Sequence, residues 1–232
     1  MNNLTKRCIS EALGAFMIVL AGCGAVSANQ LSNGAIGHAG IAASFGLVVM
    51  VMVYATGHIS GAHMNPAVTI TFAITRHFPI KELAPYILAQ CTGAVLAAFV
   101  LKATLTPALH DTDPNAILQL GISLPLDGRW VTGVVWEFML TFVLMFVIMS
   151  VATDTRAIGK AAGIVIGGTV WFEAMFAGPI CGASMNPARS LGPALIQSDT
   201  TLLWVYLIAP TLGAISGGLV YQLLREEHAK PV

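Results

Sequence analysis

Ser60-Gly61-Ala62-His63-Met64-Asn65-Pro66-Ala67 returns almost unchanged as Cys181-Gly182-Ala183-Ser184-Met185-Asn186-Pro187-Ala188. A near-repeat of this length, with Asn-Pro-Ala closing both copies, implies one device used twice. Asn directly before Pro is a helix start. The Asn side chain caps free N–H groups, and Pro fills the first helical position, where no donor is needed. Each copy therefore predicts a short helix, over roughly 66–76 and 187–197.

The surroundings of these short helices are lipid. The chain has 232 residues, 56% hydrophobic and 9% charged, against the roughly 25% charged residues of a soluble domain. So few charges cannot cover a soluble core. Six apolar segments, roughly 9–28, 36–56, 83–105, 131–152, 161–177 and 202–224, each approach the ~20 residues of a spanning helix. The expected fold is an all-α membrane protein, with six transmembrane helices and two re-entrant half-helices too short to cross. Lys6 and Arg7 before an apolar run also have the order of a signal peptide, but that run is long enough to span, and Gly14, Ala15 and Gly22 suit close helix packing. We read it as the first span. Cys8, Cys23, Cys91 and Cys181 are scattered without disulfide or metal spacing. Eleven basic and eleven acidic residues give no net charge, so nothing points to nucleic acid.

The polar stretch 106–130, with Pro107, Pro114 and Pro125, divides the chain into a first repeat, 1–105, and a second, 131–224. Glu11 and Glu137 open matching first helices. Lys6, Arg7, Arg76, Lys81, Arg156, Lys160, Arg225 and Lys230 fall on one side of six alternating spans, while Lys102 and Arg129 flank the other. Basic loops stay inside, so both termini are expected in the cytoplasm. Three spans per half give the halves opposite orientations, and the half-helices enter from opposite faces.

Two consequences follow for function. The half-helix N-termini meet near the midplane, where the Asn65 and Asn186 amides can donate to one passing oxygen. The segments Gly61-Ala62-His63 and Gly182-Ala183-Ser184 are expected to be extended, with carbonyls that only a water-lined path tolerates. Arg189, just after the second motif, is a guanidinium inside a membrane segment and thus a functional candidate.

Together, six spans, two inward half-helices, His58-Ile59-Ser60-Gly61 before the first Asn-Pro-Ala and Arg189 after the second resemble the aquaporin (major intrinsic protein) family. The resemblance covers Glu11 through Tyr221. It implies a single channel domain over 1–232, with 106–130 as the extracellular connection. It also implies a passive path for water and small uncharged solutes that excludes protons and ions. No cofactor is implied, and no nucleophile–base pair suggests an enzyme. The partners implied are the lipid bilayer and three further copies in a homotetramer, located in the plasma (cell inner) membrane. Asn65, Pro66, Ala67, Asn186, Pro187 and Ala188 become the pore motifs, and Gly61, Ala62, His63, Gly182 and Ser184 carbonyl positions along the pore. Glu11 and Glu137 become supports for the re-entrant loops.

Around Arg189 the family places Phe45, Ala174 and Ala183 as a selectivity filter. Strict water channels typically have histidine at the Ala174 position, so two alanines imply a wider, more apolar opening. The run from Ala177 to Pro193 is closest to the nodulin-like intrinsic proteins and to aquaglyceroporin-type members, which pass glycerol and neutral metalloid hydroxides. Ser190, in contrast, matches water channels, where the glycerol branch usually has Asp. A strict water channel is the alternative, and a gradient-coupled secondary transporter the alternative of another class. Glu173 has no place in the pattern; it could face loop polar groups near the outer mouth or bias that mouth against anions.

Overall fold

The computed structural model describes residues 3–153 and 161–225. Arg156, Lys160 and Lys230, used above for orientation, lie outside the described residues. Among the described residues, six helical stretches are long and apolar enough to cross a membrane. The first joins α1 (Asn3–Ile18) through a π-helical turn (Val19–Cys23) to α2 (Gly24–Leu31). The others are α3 (Gly37–Ser60), α5 (Leu83–His110) with the 3-10 turn before it, α6 (Trp130–Thr153), α7 (Ala162–Cys181) and α9 (Leu203–Leu224). Two short helices follow the repeated motifs, α4 (Pro66–Ile74) and α8 (Pro187–Gln197).

Several spans outrun their apolar windows. The α3 helix continues to Ser60 and α7 to Cys181, because a helix satisfies its own backbone wherever hydrocarbon surrounds it. Both stop at a glycine in the left-handed region, Gly61 at φ 89° and Gly182 at φ 84°. Their N–H groups donate to the Gly57 and Gly178 carbonyls, the usual way a glycine closes a helix.

The largest packings are α1 on α5, α3 on α7 and α6 on α9. In two of them a glycine meets the carbonyl just after a buried glutamate. A Cβ at Gly93 would strike the Ala12 oxygen, and one at Gly213 the Phe138 oxygen. Small residues at such crossings let backbones touch, which drives association where lipid removes the hydrophobic gain. Each short helix leans mainly on the last span of the other half of the chain, α4 on α9 and α8 on α5, which interlocks the bundle around its centre.

Segment 106–130 does more than divide the chain. Leu118 and Leu120 are buried. Ser27 Oγ donates to the Gln119 carbonyl at 2.7 Å, and Gln30 both donates to the Ile117 carbonyl at 3.0 Å and accepts from Gln119 N–H at 2.7 Å. This strap is pinned along α2 and carries its following residues over the end of the bundle away from the termini.

Candidate functional site

The two motifs build a joint at the centre of the molecule. Asn65 and Asn186 adopt extended backbone, φ −156° and −151°, and each caps its own helix. Asn65 Oδ1 accepts from Ala67 N–H at 2.9 Å, and Asn186 Oδ1 from Ala188 N–H at 3.0 Å. Each amide nitrogen then reaches across. Asn65 Nδ2 donates to the Met185 carbonyl at 2.7 Å, and Asn186 Nδ2 to the Met64 carbonyl at 2.9 Å. These bonds bring the N-termini of α4 and α8 together. An amide has two N–H groups, so one remains on each asparagine beside the cavity that both residues line.

That cavity, about 680 Å³, runs from Tyr54, His58 and His77 on the side of the termini to Phe45 and Arg189. Gly61, Ala62, His63, Ala183 and Ser184 line it opposite an apolar wall that includes Ile18, Val49, Val53, Leu144, Ile148 and Val170. The expectation of extended backbone before each motif is corrected. Positive φ recurs at Gly61, Ala62 and Met64 (89°, 49°, 51°) and again at Gly182, Ala183 and Met185 (84°, 41°, 53°). An extended strand points successive residues to opposite sides. Left-handed steps break that alternation, so both loops can turn several groups toward one lumen. For a non-glycine residue such a step costs on the order of 1–3 kcal/mol, tolerated only where the surroundings enforce it.

Ser60 Oγ accepts from Ala62 N–H at 3.1 Å and Cys181 Sγ from Ala183 N–H at 3.4 Å, and two glutamates hold the residues that follow. Glu11, fully buried, accepts from Ser60 Oγ (2.7 Å), His63 N–H (3.0 Å), Met64 N–H (2.6 Å) and Gln90 Nε2 (2.7 Å). Glu137, also fully buried, accepts from Ser184 N–H and Met185 N–H, both at 2.8 Å, with the Cys181 thiol beside it. His63 is packed, its Nδ1 3.2 Å from Thr69 Oγ1 and its ring among Phe72, Phe78 and Tyr86.

Arg189 is 5% exposed. Its Nη1 donates to the Gly121 carbonyl at 2.6 Å and to Ser123 Oγ at 2.8 Å, and its guanidinium carbon lies 4.8 Å from the centre of the Phe45 ring. Ser190 Oγ links Ser123 Oγ (2.8 Å) to Ser184 Oγ (2.5 Å). The Phe45 ring in turn rests on Gly22, inside the π-helical turn, where any Cβ would collide with it.

The profile of the major intrinsic protein family matches residues 1–221. The chain belongs to that family. Like the family, it is a passive channel for water and small neutral solutes and not an enzyme. It is 48% identical over 220 residues to Aquaporin NIP1-1 of Oryza sativa subsp. japonica, covering 95% of this chain and 74% of the relative. It is 46% identical over 227 residues to Aquaporin NIP2-3 of Zea mays, covering 98% and 72%. The aquaglyceroporin from Plasmodium falciparum shares its fold, with a TM-score of 0.85 at 24% identity over 95% of this chain and 96% of that one.

Among the site residues expected of this major intrinsic protein, Asn65, Asn186, Phe45, Ala183 and Arg189 gather along the cavity. Ala174 is buried one helical turn beyond Val170, and Gly182 packs against Ser123 and Leu124; neither is among the cavity-lining residues. Glu173 is 1% exposed, its Oε2 has no partner, and it does not line the cavity. An exposed charge at a mouth is therefore not what it provides. Sequence reasoning missed Gly121 and Ser123, which hold Arg189, and Gln90, which completes the Glu11 shell. It also missed Tyr86 and Tyr206, whose hydroxyls donate to the Ser60 and Cys181 carbonyls at 2.9 and 2.7 Å. A signal existed for the tyrosines, since they follow those residues by 26 and 25 positions.

Proposed function

We propose that the chain passes glycerol and neutral metalloid hydroxides as well as water, and that Phe45, Ala174, Ala183 and Arg189 set the limit. The observation that carries this reading is the Arg189 guanidinium held against Phe45 at the end of the cavity, with Ala183 on its lining and Ala174 buried one helical turn beyond the lining residue Val170. The Gly121 and Ser123 bonds both use Nη1, and the rest of the fork offers donors to a permeating oxygen while its charge repels cations. The alanines leave width and apolar surface for a carbon backbone. At the midplane, the free N–H groups of Asn65 and Asn186 orient each passing water with its hydrogens outward and break the proton wire. Half-helix dipoles and an arginine are the recognised electrostatic barriers of aquaporin-type pores.

The same reading makes residues 1–105 and 131–224 inverted repeats. It puts both termini in the cytoplasm and four copies together in the plasma membrane, each with its own pore. Support for the repeats comes from the paired glutamates, tyrosines, glycine crossings and Asn bonds. Stopped-flow light scattering on proteoliposomes tests the solute range with water, glycerol and boric acid, and all three should pass. Ala174→His should cut glycerol flux far more than water flux. Equal losses would refute the filter assignment, and a dependence on a proton or sodium gradient would refute passive flux.

A further inference from the structure

Pro179 sits inside α7, two residues from its end. It has no N–H, so the carbonyl of Met175, four residues earlier, loses its helical donor. That carbonyl belongs to the neighbour of Ala174. A donor arrives from another helix: His38 Nε2, at the start of α3, lies 2.7 Å from the Met175 oxygen. A carbonyl only accepts, so Nε2 carries the hydrogen. The imidazole also points its Cε1 at Gly178, where a Cβ would stand 2.7 Å from that atom; the bare backbone is what admits the ring. The α3 helix that brings His38 also brings Phe45, two turns further on, and α3 and α7 pack along their lengths.

We infer that His38 is a positioning residue for the constriction: its hydrogen bond to the Met175 carbonyl fixes the Ala174 wall of α7 against the Phe45 and Arg189 wall. This role rests on Phe45, Ala174 and Arg189 forming the filter. A freed carbonyl at a proline break is a point of give, since the turn around it keeps its geometry only while another group holds the oxygen. Here the give would fall beside the residue that sets pore width. Because the bond joins two filter-bearing helices, losing it changes which solutes fit before it changes whether the bundle folds.

Two substitutions separate the bond from the ring. His38→Phe keeps a ring over Gly178 without a donor, and His38→Gln places an amide N–H close to the position of Nε2. The readout is the ratio of glycerol to water permeability in proteoliposomes. His38→Phe should change that ratio about five-fold, the factor to which a typical net hydrogen-bond free energy corresponds, while His38→Gln should stay near the parent. A parent-like ratio in His38→Phe overturns the inference. If His38→Phe does not assemble, the double variant with Pro179→Ala decides, because residue 179 then supplies its own N–H to Met175; an assembled protein with a parent-like glycerol-to-water ratio supports the inference, and a failure to assemble or a shifted ratio overturns it. The ring is also read directly by ¹⁵N NMR of labelled histidine in the intact protein, where an unprotonated Nε2 at His38 overturns the bond. Ala174→His, run in parallel, keeps the two ideas apart. An Ala174→His effect with an inert His38→Phe defeats only the positioning role, whereas an inert Ala174→His defeats the filter reading itself.

Discussion

Replacing Glu11 or Glu137 by glutamine removes a charge with almost no change of shape, and the two sites should not suffer equally. In Glu11 the oxygens each take two donors: Ser60 Oγ and His63 N–H on one, Met64 N–H and Gln90 Nε2 on the other. Glutamine keeps one oxygen and turns an NH₂ toward the other pair. Gln90 can flip its amide and the Ser60 hydroxyl can rotate, but a backbone N–H in a left-handed loop cannot turn away. At least one backbone donor is then buried without an acceptor, costing about 1–3 kcal/mol, and the surviving bonds lose their charge assistance, bringing the total to about 3–6 kcal/mol. Hydrogen bonds between spanning helices average below ~1 kcal/mol because freed groups find other partners; the loop N–H groups lack that freedom. In Glu137 each oxygen takes one backbone N–H, and the third neighbour is a thiol, a weak donor. Glu137→Gln therefore strands one N–H with less charge assistance to lose, about 2–4 kcal/mol. Thermal unfolding in detergent, paired with water flux in proteoliposomes, reads both. Glu11→Gln should unfold at the lower temperature and lose more flux. A Glu137→Gln protein that is equally or more damaged would refute the donor-count argument.

Three further substitutions bear on the constriction. Arg189→Val removes the charge and both Nη1 bonds; glycerol flux should rise and small cations should begin to leak, measured by conductance and solute uptake, and an ion-tight variant would contradict the electrostatic role. Ser123→Ala takes away one of the two anchors of Nη1, worth about 1–3 kcal/mol for a charged donor, and should shift the glycerol-to-water ratio without abolishing flux. Gly22→Ala drives a methyl into the Phe45 ring; overpacking of about 1–3 kcal/mol should lower water permeability, and partner replacement by Phe45→Leu should restore part of it.

The sequence carried the plan of this molecule in its most repetitive features. Asn-Pro gave two helix starts, and the start of each observed helix, Pro66 and Pro187, is where that dipeptide put it. Hydropathy counted the spans but cut them short, because α3 and α7 run past their apolar windows to glycines that end them. What the sequence hid was contact made by residues with no signature of their own. Gly121 and Ser123 lie in a stretch that composition marks as a connection, yet the strap along α2 delivers them to Arg189. Gln90 reads as an ordinary polar residue in a span until Glu11 stands opposite it. The backbone before each motif could not be read either: small residues suggest an exposed path, but the non-glycine residues at positive φ are held by acceptors that only the fold brings in, the glutamates at Met64 and Met185 and the Ser60 and Cys181 side chains at Ala62 and Ala183.

Asn65 shows how tightly these devices are shared, and a single-atom change tests it. Its amide oxygen caps α4 through Ala67 N–H, while one amide hydrogen binds the Met185 carbonyl at 2.7 Å. Asn65→Asp keeps the capping oxygen, and a carboxylate at a helix N-terminus is ordinarily favourable. On capping alone the variant should be neutral or stabilised. The cross-tie says the opposite, because the second carboxylate oxygen would face a carbonyl oxygen at hydrogen-bond distance with no hydrogen between them. The Met185 loop must then withdraw, or the carboxyl must hold a proton. Either route removes the hydrogen that Asn65 shows to the lumen or the loop that frames it, so water permeability should fall several-fold while helix content by circular dichroism stays unchanged. Asn65→Ser, a good cap too short to reach Met185, should share the loss of flux. If Asn65→Asp conducts water as well as the parent, the bond to Met185 does not hold the two half-helices together, and capping is all that this asparagine does.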